Sequence, residues 1–276
     1  FIYFLKMINF ISTPIGNLND ISLRAIDVIR SSDFLYAEDT RNIKRLLKFI
    51  NIKKKCQSFH EHNEKIVLKK IIKELQDKKN ISIVSDAGTP AISDPGFKLI
   101  QECINNNIDF TLIPGPSSVI SAVVMSGFPT NAFAFYGFLS KKISEQKNFF
   151  NKLRNDSKTS VFFESARRIE KTLNVMKEIF GNQKEVSLCK EMTKIHESIY
   201  RGSIENIIQM IGKEEIVLKG EFVIVIGGSS SVEHKFVLKE SVKREFLSKL
   251  SVSDSAKLIS LLSGVNKRDI YKKLID

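Results

Sequence analysis

The 276-residue chain has little cysteine, little proline, no tryptophan and no long uninterrupted apolar run. Its three cysteines, Cys56, Cys103 and Cys189, lie far apart and form no CxxC pair, which excludes a disulfide framework or a zinc ribbon. With 6 Pro and 13 Gly beside 42% hydrophobic residues, the composition is not that of a collagen or a disordered protein. We therefore expect a globular protein of a reducing compartment, the cytoplasm.

The sequence predicts neither a membrane span nor a signal peptide. The apolar start Phe1–Ile11 is interrupted by Lys6, and it has no positively charged leading residues and no small-residue cleavage site. The other apolar stretch, Leu112–Leu139, is broken by prolines and glycines and does not suit a bilayer. We expect Met7 to be the true start, with Phe1–Lys6 as an upstream extension.

Several common catalytic signatures are also missing. No GxGxxG follows the first predicted strand and no GxxxxGK[ST] occurs, so the dinucleotide fingerprint and the P-loop are both absent. Gly115–Val119 lacks the final glycine of a nucleophile elbow, which argues against a serine hydrolase. Cys56, His60 and His62 are close in sequence, but no fourth ligand stands at metal spacing, and we expect no metal.

Positive charge is in excess, with 43 Lys and Arg against 31 Asp and Glu and a formal net charge of +12. Such a surplus attracts polyanions, of which RNA and DNA are the obvious cellular examples. A chain rich in Lys, Asn, Ile and Phe is equally what an AT-rich genome encodes. Composition alone leaves both explanations open.

Short apolar runs alternate with helical stripes along the chain. Asn9–Ile11, Ile81–Val84 and Phe110–Ile113 predict buried strands, whereas Thr40–Ile50 has the i, i+3, i+4, i+7 apolar spacing of an amphipathic helix. Strands and helices in this order predict βαβ units and a largely parallel sheet. At about twice the usual domain size, the chain should form two domains. We predict α/β domains at 7–116 and 117–230 and a helical segment at 231–276, after the Gly227–Ser231 linker.

Three turns rich in glycine or proline follow predicted strands: Thr13–Asn17, Ser85–Pro90 and Pro114–Ser118. In a parallel sheet, ligands bind outside the carboxyl ends of the strands, so these turns should meet at one cleft. One such turn is usually a plain connection. Three of them together predict a small-molecule site.

The same turns resemble one known family. The similarity covers collinear motifs from Met7 to about Gly228, including TPIGNL at Thr13–Leu18, AEDTR at Ala37–Arg41, SDAGTPAISDPG at Ser85–Gly96 and SGFPT at Ser126–Thr130. Further matches lie at His60–Glu64, Phe163–Ser165, Glu191–Lys194 and Lys219–Phe222, and Ser255–Leu274 resembles the family's C-terminal helices. The family is the ribosomal RNA small-subunit 2′-O-ribose methyltransferase I, of the tetrapyrrole-methylase-like fold.

This resemblance implies an S-adenosylmethionine-dependent enzyme that methylates the ribose 2′-hydroxyl of a cytidine in small-subunit ribosomal RNA, either as naked RNA or in the assembled subunit. It implies a homodimer of two-domain α/β chains, with a parallel sheet first and a mixed sheet second. By analogy the methyl donor contacts Pro14, Ile15, Thr89, Pro90, Ile92, Ser117, Ser118, Phe163 and Glu221. The chain departs from the family at Ala166–Arg168, where Pro-His-Arg is usual, and at Ser118, where Ala is usual.

The attacking hydroxyl must lose a proton, which requires a nearby base or a cation that stabilises the oxyanion. Our candidate catalytic residues are Asp39, Arg41, Glu191 and Lys194. Asp39 has an alternative role in balancing the charge of a helix start, and Lys194 in surface pairing with Glu191 and Glu197.

A basic stretch predicts contacts to RNA phosphates. We assign these contacts to Arg41, Lys44, Arg45, Lys48, Lys53, Lys54 and Arg168. A merely solvated helix face is the alternative. Phe59 and Tyr136 are candidates for stacking on bases, although single aromatics more often belong to a core.

Two other functions stay open at this point. One is C-methylation of a tetrapyrrole or another small molecule on the same fold. The basic stretch and the helical segment at 231–276 disfavour it, because a small substrate requires neither. The other is an RNA-binding protein without catalysis, which the intact donor turns disfavour.

Overall fold

The computed structural model describes residues 7–60, 63–77, 79–229, 238, 240–263 and 265–275. The predicted extension Phe1–Lys6 and the candidate ligand His62 lie outside these residues, as does the end of the predicted linker at 230–231. One compact unit ends at Gly228 and a second begins at Ser229. The predicted boundaries at 116 and 230 stay a prediction.

The first sheet is entirely parallel, as the alternation of elements predicts. Its strands follow the order β3-β2-β4-β1-β5, with β1 at Ile8–Ile11, β2 at Phe34–Ala37, β3 at Cys56–Ser58, β4 at Ile81–Val84 and β5 at Phe110–Ile113. Strand β1 lies between β4 and β5, with Ile8 in register with Ile81 and Phe110. Helices α1 (Leu23–Ser31), α2 (Thr40–Phe49), α3 (Glu64–Gln76) and α4 (Phe97–Asn105) connect the strands.

The second sheet is mixed, in agreement with the fold that the resemblance implies. Its order is β6-β7-β10-β8-β9, with β6 at Phe133–Phe138, β7 at Thr159–Ser165, β8 at Glu185–Lys190, β9 at Ser198–Ser203 and β10 at Glu221–Ile226. Strand β6 is parallel to β7, while β10 runs antiparallel to β7 and β8. Helices α5 (Ser118–Ser126), α6 (Ile143–Leu153), α7 (Ile169–Phe180) and α8 (Ile204–Gly212) complete this half.

Helix α2 has the amphipathic form that its spacing predicts. Ile43, Leu46 and Leu47 are buried against the first sheet. The Asp39 side chain caps the helix start by accepting the Arg41 backbone N–H at 2.8 Å. The basic side chains of α2 lie on the opposite face and are exposed to solvent.

Apolar clusters cover both sheets, and one of them joins the two halves of the first unit. In this cluster Ile15, from the loop after β1, packs with Val119 of α5, Met192 and Val223 of β10. Because these buried side chains come from both halves, the loops after the first sheet are held against the second sheet.

In the part of the second unit that the structure describes lie helices α9 (Glu240–Lys249), α10 (Val252–Ser263) and α11 (Lys267–Ile275), where the sequence predicts a helical segment. Its small core contains Ala256, Ile259, Ile270 and Leu274. Over the described residues, no helix is both long and apolar enough to cross a membrane.

Candidate functional site

A cavity of about 510 Å³ lies where the carboxyl ends of the first sheet meet the second sheet. Ile15, Thr89 and Ser117 line it, so the three turns that follow β1, β4 and β5 do converge on one site. The second half contributes the opposite wall, from residues at the ends of its strands: Phe138, Phe163–Arg167, Cys189, Glu191, Met192 and Gly220–Val223. The arrangement is the one expected at the carboxyl edge of a parallel sheet.

Direct hydrogen bonds hold the first two turns together. Thr13 and Gly88 exchange both backbone hydrogen bonds, at 2.9 and 3.0 Å, and the Thr13 hydroxyl donates to the Ser85 carbonyl at 3.0 Å. Gly88 has φ of +80°, a conformation that glycine adopts without steric cost. The Ser12 hydroxyl lies 3.1 Å from the Thr89 hydroxyl, which extends the connection toward the cavity.

Seven of the nine predicted donor contacts line this cavity: Ile15, Thr89, Ile92, Ser117, Ser118, Phe163 and Glu221. Pro14 and Pro90 are buried beside them without lining it. Since a proline ring fixes φ, these two residues are suited to stiffening the turns. Ser117 also caps α5, where its hydroxyl accepts the Ile120 N–H at 3.4 Å.

Glu191, Lys194 and Glu221 form a lysine-bridged pair of carboxylates at one wall. Lys194 Nζ lies 3.0 Å from Glu191 Oε1 and 3.0 Å from Glu221 Oε2, and the Glu221 backbone N–H donates to Glu191 Oε1 at 2.8 Å. Burial acts to raise the pKa of Glu191, but the Glu221 amide and the Lys194 ammonium together hold that pKa below its ordinary value. Glu191 and Glu221 line the cavity, whereas Lys194 does not.

Two glycines make room for this lysine-bridged pair. A Cβ on Gly16 would lie 2.5 Å from Lys194 Cγ, and a Cβ on Gly220, where φ is +93°, would lie 2.6 Å from the Glu191 carboxyl. Both distances are well inside van der Waals contact, so a side chain at either position would require the Lys194 or Glu191 side chain to move, and at Gly220 the positive φ would add strain.

Asp39 and Arg41, the other candidate catalytic residues, pair with each other and do not line the cavity. Arg41 Nη2 lies 2.6 Å from Asp39 Oδ2, and the hydrogen bonds from Arg41 lower the pKa of Asp39 to about 2. The Asp39 backbone N–H donates to Asp86 Oδ1 at 2.9 Å, and Asp86 does line the cavity. Asp39 is the N-cap of α2, and its negative charge lies at the helix start, where the charge-balancing alternative places it.

The predicted RNA contacts divide into two groups. Arg41, Lys44, Arg45, Lys48 and Lys53 are exposed. Lys54 instead donates from Nζ to the carbonyls of Ile29 at 2.6 Å, Arg30 at 3.1 Å and Ser32, which satisfies the end of α1.

The Arg168 side chain also makes contacts within the protein. Its Nη2 lies 2.6 Å from Glu164 Oε1 and its Nη1 donates to the Leu139 carbonyl at 3.1 Å. Of the stacking candidates, Phe59 is buried and Tyr136 stacks on Phe162, with ring centroids 5.6 Å apart.

Among the cavity residues that the sequence did not single out as site residues are Asp94, Phe138 and Arg167. Burial, together with the negative charges of Glu38 and Asp86, raises the pKa of Asp94 to about 7. Its repeated Ser-Asp context in SDAGTPAISDPG was the available signal. Nothing in the sequence marks Phe138, which is 62% exposed at the end of β6. In the part of the chain that the structure describes, no cluster of three metal-ligating side chains occurs.

A family model described as Tetrapyrrole (Corrin/Porphyrin) Methylases matches residues 7–208. Among curated proteins, "Ribosomal RNA small subunit methyltransferase I" of Halalkalibacterium halodurans is 37% identical over 268 residues, covering 95% of this chain and 92% of that protein. The protein of the same name from Rickettsia prowazekii is 40% identical over 263 residues, covering 95% and 92%. That from Thermotoga maritima is 41% identical over 218 residues, covering 79% and 96%.

Solved structures of similar fold have far lower identity. Uroporphyrin-III-C-methyltransferase from Thermus thermophilus aligns with a TM-score of 0.58 at 13% identity, covering 80% of this chain and 94% of that chain. Cobalt precorrin-4 methyltransferase aligns with a TM-score of 0.59 at 13% identity, covering 80% and 95%. At this identity the likeness shows the fold alone.

Proposed function

The chain belongs to the ribosomal RNA small subunit methyltransferase I family, within the tetrapyrrole methylases and with their fold, and from this we propose that it methylates ribosomal RNA. The methyl donor is S-adenosylmethionine, and the acceptor is the ribose 2′-hydroxyl of a cytidine in the small subunit. The collinear identity over nearly the whole chain is the observation that supports this proposal most strongly.

The cavity fits a donor that combines an apolar nucleoside with charged groups. Ile15, Phe163 and Val223 give it apolar surface, while Thr89, Ser117 and Ser118 offer hydroxyl groups. Its volume of about 510 Å³ lies within the usual range for sites of drug-sized ligands. When bound, S-adenosylmethionine supplies a methyl group on a positively charged sulfur. The carboxylates of this cavity would stabilise such a cation electrostatically.

The chain's own contribution is mostly alignment. Holding a hydroxyl and a methyl carbon in line gives much of the rate of a displacement reaction, and this requires rigid walls. The Thr13–Gly88 backbone pair and the lysine-bridged pair supply such rigidity on opposite walls. The buried cluster around Ile15 and Met192 excludes water beneath them.

The exposed face of α2 is the proposed surface for RNA phosphates. Arg41, Lys44, Arg45 and Lys48 are solvent-exposed there, at the carboxyl edge of the first sheet where α2 begins. Positively charged side chains grouped on one helix face bind the RNA backbone without reading its sequence. The acceptor is then naked ribosomal RNA or the assembled subunit, in the cytoplasm.

We also propose a homodimer, as the resemblance implies. Exposed apolar side chains on α5 and β5 support it, because Val124 is 64% exposed and Leu112 47% exposed, with Ile120 and Phe110 beside them. Apolar surface of this kind often marks an interface between proteins. Sedimentation of the purified protein would give the mass of two chains, whereas a monomer at micromolar concentration would contradict the proposal.

The function is tested by incubating labelled S-adenosylmethionine and the protein with small subunits that lack the modification, followed by mass mapping of the RNA. We expect one label on the 2′-oxygen of a cytidine, and no label on subunits that are already modified. Tight donor binding without any label on RNA would contradict the proposal. It would favour C-methylation of a tetrapyrrole or another small molecule, which the solved neighbours match only in fold.

A further inference from the structure

Five carboxylates line the cavity, and four of them have clear partners. The five are Asp86, Asp94, Glu164, Glu191 and Glu221. A base that accepts a proton from substrate must have a free oxygen lone pair and a pKa close to the working pH. The hydrogen bonds and ion pairs that each carboxylate already makes therefore indicate whether it can act as this base.

Glu164 and the lysine-bridged pair are engaged by cations. Glu164 is fully buried, with Arg168 Nη2 at 2.6 Å from Oε1 and the Thr172 hydroxyl donating to Oε2 at 2.8 Å. Glu191 and Glu221 share Lys194, with both distances at 3.0 Å. A nearby cation stabilises the charged form of a carboxylate and makes it a weak base.

Asp86 is occupied by hydrogen-bond donors from the start of α2. Its Oδ1 accepts the Asp39 backbone N–H at 2.9 Å, and its Oδ2 accepts the Asn42 side-chain amide at 2.9 Å. Asp86 therefore orients this helix start, and both of its oxygens have a structural role.

Asp94 differs from the other four. Within the ranges that the structure describes, its carboxylate has no hydrogen bond or ion pair to another side chain. Burial first, and then the like charges of Glu38 after β2 and Asp86 after β4, raise its pKa to about 7. The opposite wall brings further charges to the same cavity, from Arg167 and from the carboxylates of Glu164, Glu191 and Glu221.

The loop that carries Asp94 is held in an unusual conformation. Ala91 and Ser93 have φ of +66° and +61°, which costs free energy for any residue other than glycine. A Cβ on Gly137, where φ is +66° and β6 has an irregular register, would lie 3.4 Å from Ser93 Oγ. The second half thus packs closely on this loop and keeps Asp94 at the cavity.

We propose that the Asp94 carboxylate is the base that accepts the proton of the attacking ribose hydroxyl. This assignment rests on the proposed function. The hydroxyl oxygen forms a bond to the methyl carbon, the electron pair of the carbon–sulfur bond passes to sulfur, and the proton passes to Asp94. Sulfur loses its positive charge and Asp94 its negative charge, so atoms and charges balance.

The pair of variants Asp94→Asn and Asp109→Asn tests the proposal. Asp109 is an exposed aspartate just before β5, at the opposite edge of the same sheet. Single-turnover methyl transfer to unmodified small subunits should fall roughly 10²–10⁴-fold in Asp94→Asn. It should stay within about twofold of wild type in Asp109→Asn. The affinity for S-adenosylmethionine, measured by calorimetry, should change less than about threefold in Asp109→Asn and fall less than about tenfold in Asp94→Asn, which loses a carboxylate that attracts the donor's cation. Measurable binding also shows that both variants fold.

A second readout does not depend on activity. In donor-free protein with ¹³C-labelled aspartate carboxyls, one resonance should titrate near pH 7 and be missing in Asp94→Asn. The wild-type single-turnover rate should rise with pH over the same range, because only the deprotonated carboxylate accepts a proton. Asp94→Glu, which keeps a base, should recover part of the rate.

Two results would overturn the assignment in distinguishable ways. Equal rates in wild type and Asp94→Asn, with label on the RNA, would remove Asp94 as the base and leave the proposed function intact. A wild-type protein that binds the donor and labels no subunit would overturn both.

Discussion

The two walls of the cavity shift the pKa of a carboxyl group in opposite directions. On the wall from the second half, Glu191 and Glu221 share Lys194, and the pKa of Glu191 lies below its ordinary value in spite of burial. On the wall from the first half, Asp94 faces Glu38 and Asp86, and its pKa is raised to about 7. Burial raises the pKa of both carboxylates, so the sign of the neighbouring charge decides whether the net shift is upward or downward.

Arg168→Met should have the largest effect on stability, because it removes the cation from a carboxylate that cannot reach water. The Glu164 side chain is 0% exposed, and it keeps only neutral donors once the guanidinium is gone. Breaking a buried ion pair by removing one partner costs about 3–5 kcal/mol. Urea unfolding should show this loss of free energy.

Arg167→Met is the matched control for that measurement, since Arg167 is the exposed neighbour in the chain. We expect its free energy of unfolding to stay within about 0.5 kcal/mol of wild type, as for most surface substitutions. Unchanged stability in Arg168→Met, combined with weaker RNA binding, would contradict the structural role. It would return Arg168 to the RNA contacts predicted from the sequence.

The sequence predicted the regular elements well because their patterns are local. Helix α2 and strand β4 lie where the apolar spacing places them, and each is buried where the pattern predicts. Strand β5 forms at the predicted residues, but the prediction that it is buried was wrong, because Phe110 and Leu112 are exposed on this edge strand. Strand β3, with the sequence CQS, was not predicted because three half-buried polar residues at a sheet edge carry no apolar pattern.

The site was predicted only in part, because its chemistry depends on contacts across the fold. Seven donor-contact candidates line the cavity, since the glycine and proline turns mark the strand ends. The distinction between Asp94 and Glu191 is invisible in sequence, because it depends on a lysine that reaches one carboxylate and not the other. The contacts of Lys54 with the carbonyls at the end of α1 are invisible in sequence for the same reason, and its predicted phosphate contact stays a prediction.

Lys194→Met should lower the free energy of unfolding by an intermediate amount. It removes the cation from the carboxylates of the second wall, so that they resemble Asp94 on the first wall. Glu191 and Glu221 would then lose the cation that bridges them, and the pKa of Glu191 should rise, although Lys190 still lowers it. Because Glu221 is 76% exposed, solvent screens much of the interaction, and we expect a loss of roughly 1 kcal/mol. Thermal unfolding at several pH values would measure it.

The sign of the pH dependence follows from the directions of the two pKa shifts. The lowered pKa of Glu191 gives a stabilisation that is present above its unfolded-state pKa and is lost as the pH falls through the folded-state value. The raised pKa of Lys194 gives a stabilisation that is present below its unfolded-state pKa and is lost as the pH rises through the folded-state value. The difference between wild type and variant should therefore be largest near neutral pH. Lys219→Met, at an exposed lysine nearby, should show no such profile.

Arg41→Gln should have the smallest effect on stability, because the Arg41–Asp39 pair lies in solvent at the start of α2. The pKa of Asp39, now about 2, should rise only part of the way toward 3.8, because the backbone N–H at position 41 still donates to it, and solvent screening should keep the fall of the unfolding midpoint small. If the α2 face binds phosphates, the slope of log affinity against log salt for ribosomal RNA should become shallower by about 0.7–0.9. Arg30→Gln breaks a comparable exposed pair with Asp27 at the end of α1 and should leave that slope unchanged. Equal slopes in the two variants would show that Arg41 contributes no phosphate contact, and that its pairing with Asp39 serves the helix start alone.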